Sequence, residues 1–118
     1  MSNENEIHQV EISIQQAKES IALGEALNRL SLNPDFKLVV LENYLREEPI
    51  RLTRLKASPQ CKSEELQTAI IKSLDAIGEL IQYLGVLERQ AEMSAQALAA
   101  DEQTLEEIYA EDLNGGTI

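Results

Sequence analysis

The chain has 118 residues, a formal net charge of −11, 43% apolar residues and only 3% aromatic residues. This length sets one domain as the upper bound, and the apolar content is too high for a fully disordered chain. The negative charge argues against a general role in gripping nucleic-acid phosphates, which needs clustered Lys and Arg. The scarcity of aromatic residues favours long helices that bury narrow stripes.

Cellular targeting and redox state can be predicted from the ends and the cysteine count. The start "MSNENEIHQ" has neither the basic region nor the apolar region of a secretory signal, so no such signal is expected. No run approaches about 18 apolar residues, so no membrane span is expected either. Cys61 is the only cysteine, which makes a reducing compartment the default. A nucleophilic Cys61 would need a positioned histidine, and His8 is predicted to lie in a different helix.

The first predicted helix covers residues 5–31. Its apolar residues follow a 3,4,3,4 spacing, which is typical of a helix that packs along its length: Ile7, Val10, Ile14, Ala17 and Ile21. Beyond these residues the apolar stripe is expected to drift, as it does on a nearly straight helix, to Leu23, Leu27 and Leu30. The segment "SLNPDF" then ends this helix and starts another, with Asn33 as the N-cap and Pro34 in the first helical position.

The middle of the chain is predicted to form short helices over about 34–48 and 50–57, separated by a break or kink at Pro49. The first of them is expected to contribute four residues to the core: Phe36, Val39, Val40 and Tyr44. A loop follows at "ASPQCKS", and Ser63 is predicted to cap the last helix.

The last predicted helix runs from Glu64 to about Ala110. One heptad position is apolar without interruption, in Ile70, Ile77, Leu84, Ala91, Leu98 and Leu105. The second heptad position that would complete the apolar stripe holds polar residues at Ser94 and Asp101. This stripe, the predicted apolar seam, is therefore strong before residue 88 and weak around Asp101. The tail "EDLNGGTI" contains Asn114 and two glycines as stop signals.

Two glycines interrupt the long predicted helix at Gly78 and Gly85, although each costs about 1 kcal/mol against alanine. Both fall on the flank of the helix that carries Ile71. A pair of glycines on one flank permits a second helix to approach closely. The alternative is that a long helix simply tolerates them, but a packing reason is the preferred interpretation.

Sequence motifs for chemistry are lacking. The chain has no Gly-rich phosphate loop, no Gly-x-Ser-x-Gly elbow and no Cys-x-x-Cys. Its paired acids point about 100° apart on a helix and are interpreted as solvated faces. The sequence therefore predicts that the protein is not an enzyme, with no catalytic residues, no cofactor, no metal and no small-molecule substrate.

Charge is distributed unevenly. The basic segment, residues 51–62, contains Arg51, Arg54, Lys56 and Lys62 and no acid, whereas eight acids and one base follow from Glu88 onward. One interpretation is solubility and chance; the other is that the basic segment docks an acidic partner, such as the acidic end of a neighbouring copy. The rate of association with a partner is predicted to depend on Arg51, Arg54 and Lys56. The affinity is predicted to depend on the apolar residues Ile77, Leu84 and Leu87.

One stretch carries a resemblance. "NPDFKLVVLENYLREEPIRLTRLKASP", residues 33–59, resembles small helical proteins encoded among the virion-assembly genes of tailed bacteriophages. The similar features are an Asn-Pro-Asp-Phe turn, an acidic pair, an Arg-Leu-x-x-Leu-Lys piece and the long Gln- and Glu-rich helix that follows. The resemblance implies a cytoplasmic phage product that contacts capsid, connector or tail components, and it carries no catalytic residue.

These observations predict an all-α, elongated helical hairpin with short helices at the joint, forming one domain over 1–113 and a flexible tail over 114–118. The expected function is that of a non-enzymatic virion structural or assembly protein that contacts itself or other phage proteins. The alternative is an acidic inhibitor or DNA mimic that binds a basic groove on a host or defence protein. Neither direct nucleic-acid binding nor membrane binding is expected, and the predicted location is the host cytoplasm or the virion.

Overall fold

The architecture is all-α, as predicted. The computed structural model describes residues 2–115, and no strand occurs among them. In chain order the elements are α1 (Ser2–Ser31), α2 (Pro34–Phe36), a π-helical segment (Lys37–Glu47), α3 (Glu48–Ala57), a 3-10 turn (Pro59–Cys61) and α4 (Glu64–Gly115). Within residues 2–115, none of the helices combines the length and apolar character that a membrane span requires.

Two predicted helix caps are confirmed. The Asn33 side-chain oxygen accepts hydrogen bonds from the backbone N–H groups of Asp35 and Phe36, both at 3.0 Å. The Ser63 hydroxyl accepts one from the N–H of Leu66 at 3.2 Å. Both side chains satisfy donors that the first turn of a helix leaves without partners.

The helical backbone passes through Pro49, so of the predicted break or kink at this residue the break is wrong and the kink stays a prediction. Lys37–Glu47 winds as a π-helix, and the N–H of Glu48 donates to the carbonyl of Asn43, five residues earlier. The α-helical pattern begins again at Glu48, so Pro49 lies in the first turn of α3. Because proline has no N–H, the continuous helix lacks one backbone hydrogen bond to the preceding turn at Pro49.

The chain divides into two compact units, of which one comprises residues 1–26 and 87–118 and the other residues 27–86. We call them the acidic unit and the neutral unit, for the charges described below. Both α1 and α4 contribute residues to each unit. The single domain expected over residues 1–113 stays a prediction.

In the acidic unit, α1 and α4 pair in antiparallel orientation, which confirms the predicted hairpin there. The Asn3 amide donates to Asp112 at 2.7 Å, and the Ser13 hydroxyl donates to Asp101 at 2.6 Å. Further along α1, Gly24 lies directly against Ala91. Because residue numbers rise on one helix as they fall on the other, the two helices run in opposite directions.

The predicted 3,4 stripe on α1 is confirmed, since Ala17 is buried and its other four residues are half-buried. The expected drift is wrong at two positions: Leu23 is 52% exposed and Leu30 is 46% exposed. The inward positions after Ile21 are instead Gly24, which is half-buried, and Leu27, which is buried. A glycine does not register as apolar, so the sequence pattern concealed the continuation of the stripe.

The core of the neutral unit joins α3 to α4. Its buried residues are Leu52, Ile70 and Ile77, and the partly buried residues packed against them are Leu45, Leu55, Cys61 and Leu74. Val39 is 62% exposed and Tyr44 is 39% exposed, so their predicted core positions are wrong. The physical reason is the π winding, because i→i+5 bonding turns side chains to faces that a 3.6-residue period does not predict.

The predicted heptad series on α4 is confirmed, as all six of its members are buried or half-buried. The helix ends later than predicted, however. Asn114 and Gly115 belong to α4, so they do not stop it. Of the predicted tail, residues 116–118 lie outside the described part of the chain.

Candidate protein-contact site

An open groove lies on the joint, the helical stretch 34–57 of the neutral unit. We call it the joint groove, and its volume is about 790 Å³. The π-helical segment and α3 supply its lining residues: Val39, Val40, Asn43, Tyr44, Glu47, Glu48, Ile50, Arg51 and Arg54. Its lining therefore combines four apolar or aromatic side chains with four charged ones.

The apolar residues of the joint groove are accessible to a partner. Val39 is 62%, Ile50 43% and Tyr44 39% exposed. Single exposed apolar residues are common on proteins, but a contiguous exposed patch usually marks a contact site. This groove was not predicted from the sequence, because Val39 and Tyr44 were expected in the core.

Arg51, one of the predicted docking residues, is already paired within the chain. Its guanidinium donates to both carboxylate oxygens of Glu48, with Nε to Oε2 at 3.0 Å and Nη2 to Oε1. The hydrogen bond from Arg51 lowers the pKa of Glu48 below its usual 4.5, and the positive charge of Arg51 acts in the same direction. Arg51 is therefore less available to an acidic partner than its sequence position suggested.

Arg54 and Lys56 are exposed, as Arg51 is, but unlike Arg51 neither forms an ion pair within residues 2–115. Arg54 lines the joint groove, and Lys56 follows it in the last turn of α3. Cations in a last helical turn also stabilise the helix dipole. The two residues thus combine a favourable effect on α3 with charge that is free to meet a partner.

The predicted apolar seam lies largely inside the chain. Ile77 is only 2% exposed and belongs to the core with Leu52 and Ile70, which leaves it no surface for a partner. Leu84 and Leu87 are half-buried. The exposed large apolar residues of α4 in the neutral unit are others: Leu66, Ile71, Ile81, Tyr83 and Val86.

The close approach expected at Gly78 is not made within the chain. A Cβ added to Gly78 would meet no atom within 4 Å, so this position faces open space. The close approach occurs at Gly24, where an added Cβ would collide with the Cβ of Ala91. Partner contacts at Gly78 and at the half-buried Gly85 stay predictions.

The whole net charge of the protein resides in one unit. The acidic unit has thirteen acidic and two basic side chains, which gives −11, and the neutral unit has eight of each, which gives zero. The acidic end after Glu88 is visible in the sequence. The five acids and one lysine that α1 adds to the same unit are not, because only the fold brings these residues together.

A metal site is not formed by the described residues, since no group of three or more His, Cys, Asp or Glu side chains converges among residues 2–115. His8 is exposed in α1, and Cys61 is half-buried beside the core of the neutral unit. Comparison with protein-family models, curated proteins and solved structures found no match.

Proposed function

We propose that this chain is a non-enzymatic structural or assembly protein of a tailed bacteriophage virion, which acts through helix–helix contacts with itself or with capsid, connector or tail proteins. The observation that carries the proposal is the joint groove, which exposes apolar and charged side chains together. A groove of this kind suits an amphipathic helix, whose apolar residues would pack against the apolar lining and whose charges would pair with the charged lining.

The phage assignment is supported by the resemblance of residues 33–59. This stretch contains α2, the π-helical segment and α3, of which the last two line the joint groove. The part of the chain that resembles phage assembly proteins is thus the part that offers a contact surface. Under this proposal, the location is the host cytoplasm during assembly or the virion itself.

A pull-down from infected cells tests the proposal. The wild-type chain is compared with a groove variant, Val39→Glu with Ile50→Glu, and with a matched control, Ile12→Glu with Leu23→Glu. The control residues lie on α1 and are 45% and 52% exposed, so the control variant adds the same charge at similar exposure outside the groove. Capsid, connector or tail proteins should be recovered with the wild type and the control and lost with the groove variant. Equal recovery with all three chains would contradict the role of the groove.

The alternative function, an acidic inhibitor or DNA mimic, is favoured by a different observation, the thirteen acids and two bases of the acidic unit. A DNA mimic places its acids on an exposed surface that enters a basic groove of another protein. Recovery of a host nuclease or polymerase in the same pull-down would favour this function. If the double variant Glu102→Lys with Glu106→Lys no longer recovers that host protein, the contact lies on the acidic unit.

A further inference from the structure

We propose that the joint groove of one copy binds the C-terminal part of α4 from a second copy. This inference rests on the proposed contact function and specifies one partner for it. The binding element is a single exposed face of α4 in the acidic unit, which we call the acidic face: Glu102, Glu106, Tyr109 and Leu113.

The acidic face has the pattern of a groove-binding helix. Its four residues follow spacings of 4, 3 and 4, so they lie along one side of α4. The two acids come first and the two large apolar residues follow, with Tyr109 47% exposed and Leu113 73% exposed. An exposed helix face that combines acids and apolar anchors in this order is suited to a groove that exposes apolar side chains beside an unpaired cationic side chain.

The lining of the joint groove includes two acids, Glu47 and Glu48, and two bases, Arg51 and Arg54. Glu48 pairs with Arg51, and Glu47 lies 3.9 Å from Arg46. Arg54 is therefore the lining base that has no ion pair within residues 2–115.

Val39 and Ile50 supply exposed apolar surface, while Arg54 supplies a charge that no acid of residues 2–115 neutralises. Lys56 does not line the groove, because it lies two residues further along α3 and so on another side of the helix. Tyr109 and Leu113 of the second copy would cover the apolar side chains of the groove, and Glu102 and Glu106 would face Arg54.

Charge favours a second copy over an unrelated acidic helix, because every copy carries both surfaces. The acidic unit holds the full −11, and the basic segment contains four bases without an acid. Two acidic units repel each other, so attraction between copies requires the acidic unit of one to meet the basic segment of another. Such a contact joins two different surfaces and leaves one of each free, so it adds copies into a ring or a filament.

Sedimentation velocity of the purified chain over a range of concentrations tests this directly. Wild-type protein should form oligomers beyond the dimer in about 0.1 M salt. The association should weaken in about 1 M salt, where the Debye length falls from about 10 Å to about 3 Å. A monomer at all concentrations in about 0.1 M salt would overturn the inference, although the pull-down of capsid or tail proteins could still succeed.

Two charge-reversal variants separate the surfaces: Arg54→Glu in the groove, and Glu102→Lys with Glu106→Lys on the acidic face. Each variant alone should associate at least about tenfold more weakly than wild type. A mixture of the two should regain association, because both possible contacts between the different variants pair opposite charges. If the acidic-face variant associates as well as wild type, or if the mixture stays monomeric, the inference is wrong.

The matched control is Glu88→Lys with Glu92→Lys. These exposed acids lie on the same side of α4 two heptads earlier, where Ala95 and Ala99 follow in place of the large apolar residues. The control makes the same charge change on the same helix and should keep more association than the acidic-face variant. A second pair, Tyr109→Ala with Leu113→Ala, changes no charge and should weaken association at both salt concentrations. Equal effects of the two charge reversals, or no effect of the alanine pair, would contradict the proposed contact.

Discussion

Gly24 packs directly against α4 in the acidic unit. Its missing side chain makes room for Ala91, whose Cα would lie 3.7 Å from an added Cβ and whose own Cβ would lie well inside contact distance. The Leu87 carbonyl oxygen would be 3.8 Å away. Glycine is therefore required here by packing. Gly78 is also helical, but an added Cβ would meet no atom within 4 Å.

We expect Gly24→Ala to lower the free energy of unfolding by about 1–3 kcal/mol, because the added methyl group must push the two helices apart. This effect should outweigh the gain of about 1 kcal/mol in helix propensity. Urea unfolding followed by circular dichroism measures the difference. Gly78→Ala is the matched control and should stabilise the protein by up to about 1 kcal/mol. If both alanine substitutions stabilise equally, the close packing at Gly24 is wrong.

The ion pair of Glu48 and Arg51 gives a second residue-level prediction. Because the hydrogen bond lowers the pKa of Glu48 below 4.5, the pair favours the folded state above pH 4.5 and loses this effect as the pH falls through the folded-state pKa. Arg51→Ala should therefore raise the pKa of Glu48 toward 4.5, as measured by NMR titration of the carboxyl carbon. Arg54→Ala is the control and should leave the Glu48 pKa unchanged. An unchanged pKa in Arg51→Ala would show that the pair does not form.

At the scale of elements, the sequence predicted the parts that depend on local capping and on a regular period. Asn33 and Ser63 cap helices because their side chains reach nearby N–H groups, and the heptad series on α4 follows a constant spacing. The joint could not be predicted in the same way. Its π-helical segment changes the period, so the faces of Val39 and Tyr44 were assigned incorrectly, and the joint groove was missed as a result.

The Gln67 side chain forms two of the hydrogen bonds that stabilise the turn between α3 and α4. The Gln67 amide nitrogen donates to the Lys56 carbonyl at 2.9 Å and to the Cys61 carbonyl at 2.6 Å. The Lys62 ammonium also donates to the Lys56 carbonyl, at 3.2 Å. Gln67 therefore connects α4 to the end of α3 and to the 3-10 turn, next to the core of the neutral unit.

We expect Gln67→Ala to lower the free energy of unfolding by about 1–3 kcal/mol, because it leaves the partly buried Cys61 carbonyl without this donor. Gln67→Glu keeps the size of the side chain but removes its N–H donors, so it should also destabilise the protein. Gln82→Ala, at an exposed position of α4, is the control and should change little. Urea unfolding compares the three variants. A neutral Gln67→Glu would show that the hydrogen bonds are unimportant.

At the scale of the whole molecule, charge and apolar core are unevenly distributed. The acidic unit carries all of the net charge, while the neutral unit contains the cluster of Leu52, Ile70 and Ile77. Like charges in the acidic unit repel each other and weaken its folded state. The sequence shows the total charge directly, but its confinement to one unit depends on the antiparallel pairing of α1 and α4.

We therefore expect the melting temperature to rise with salt, because added ions screen the repulsion within the acidic unit. Circular dichroism at low protein concentration, in about 0.01 M and about 1 M sodium chloride, measures the shift without a contribution from self-association. Salt also weakens exposed ion pairs such as Glu48–Arg51, but the stability lost in this way should be smaller than the stability gained by screening the repulsion. A melting temperature that falls with salt would contradict the importance of repulsion in the acidic unit.

The most direct test of the central claim, that the joint groove is a partner-binding surface, is site-specific photo-crosslinking in phage-producing cells. A photoreactive residue replaces Val39 in the groove, and a control chain carries it at the exposed Thr68 of α4, outside the groove. The adducts are identified by mass spectrometry. We predict adducts with capsid, connector or tail proteins, or with a second copy of this chain, at position 39 and not at position 68. The absence of any adduct specific to position 39, or adducts there with a host nuclease or polymerase alone, would contradict the account.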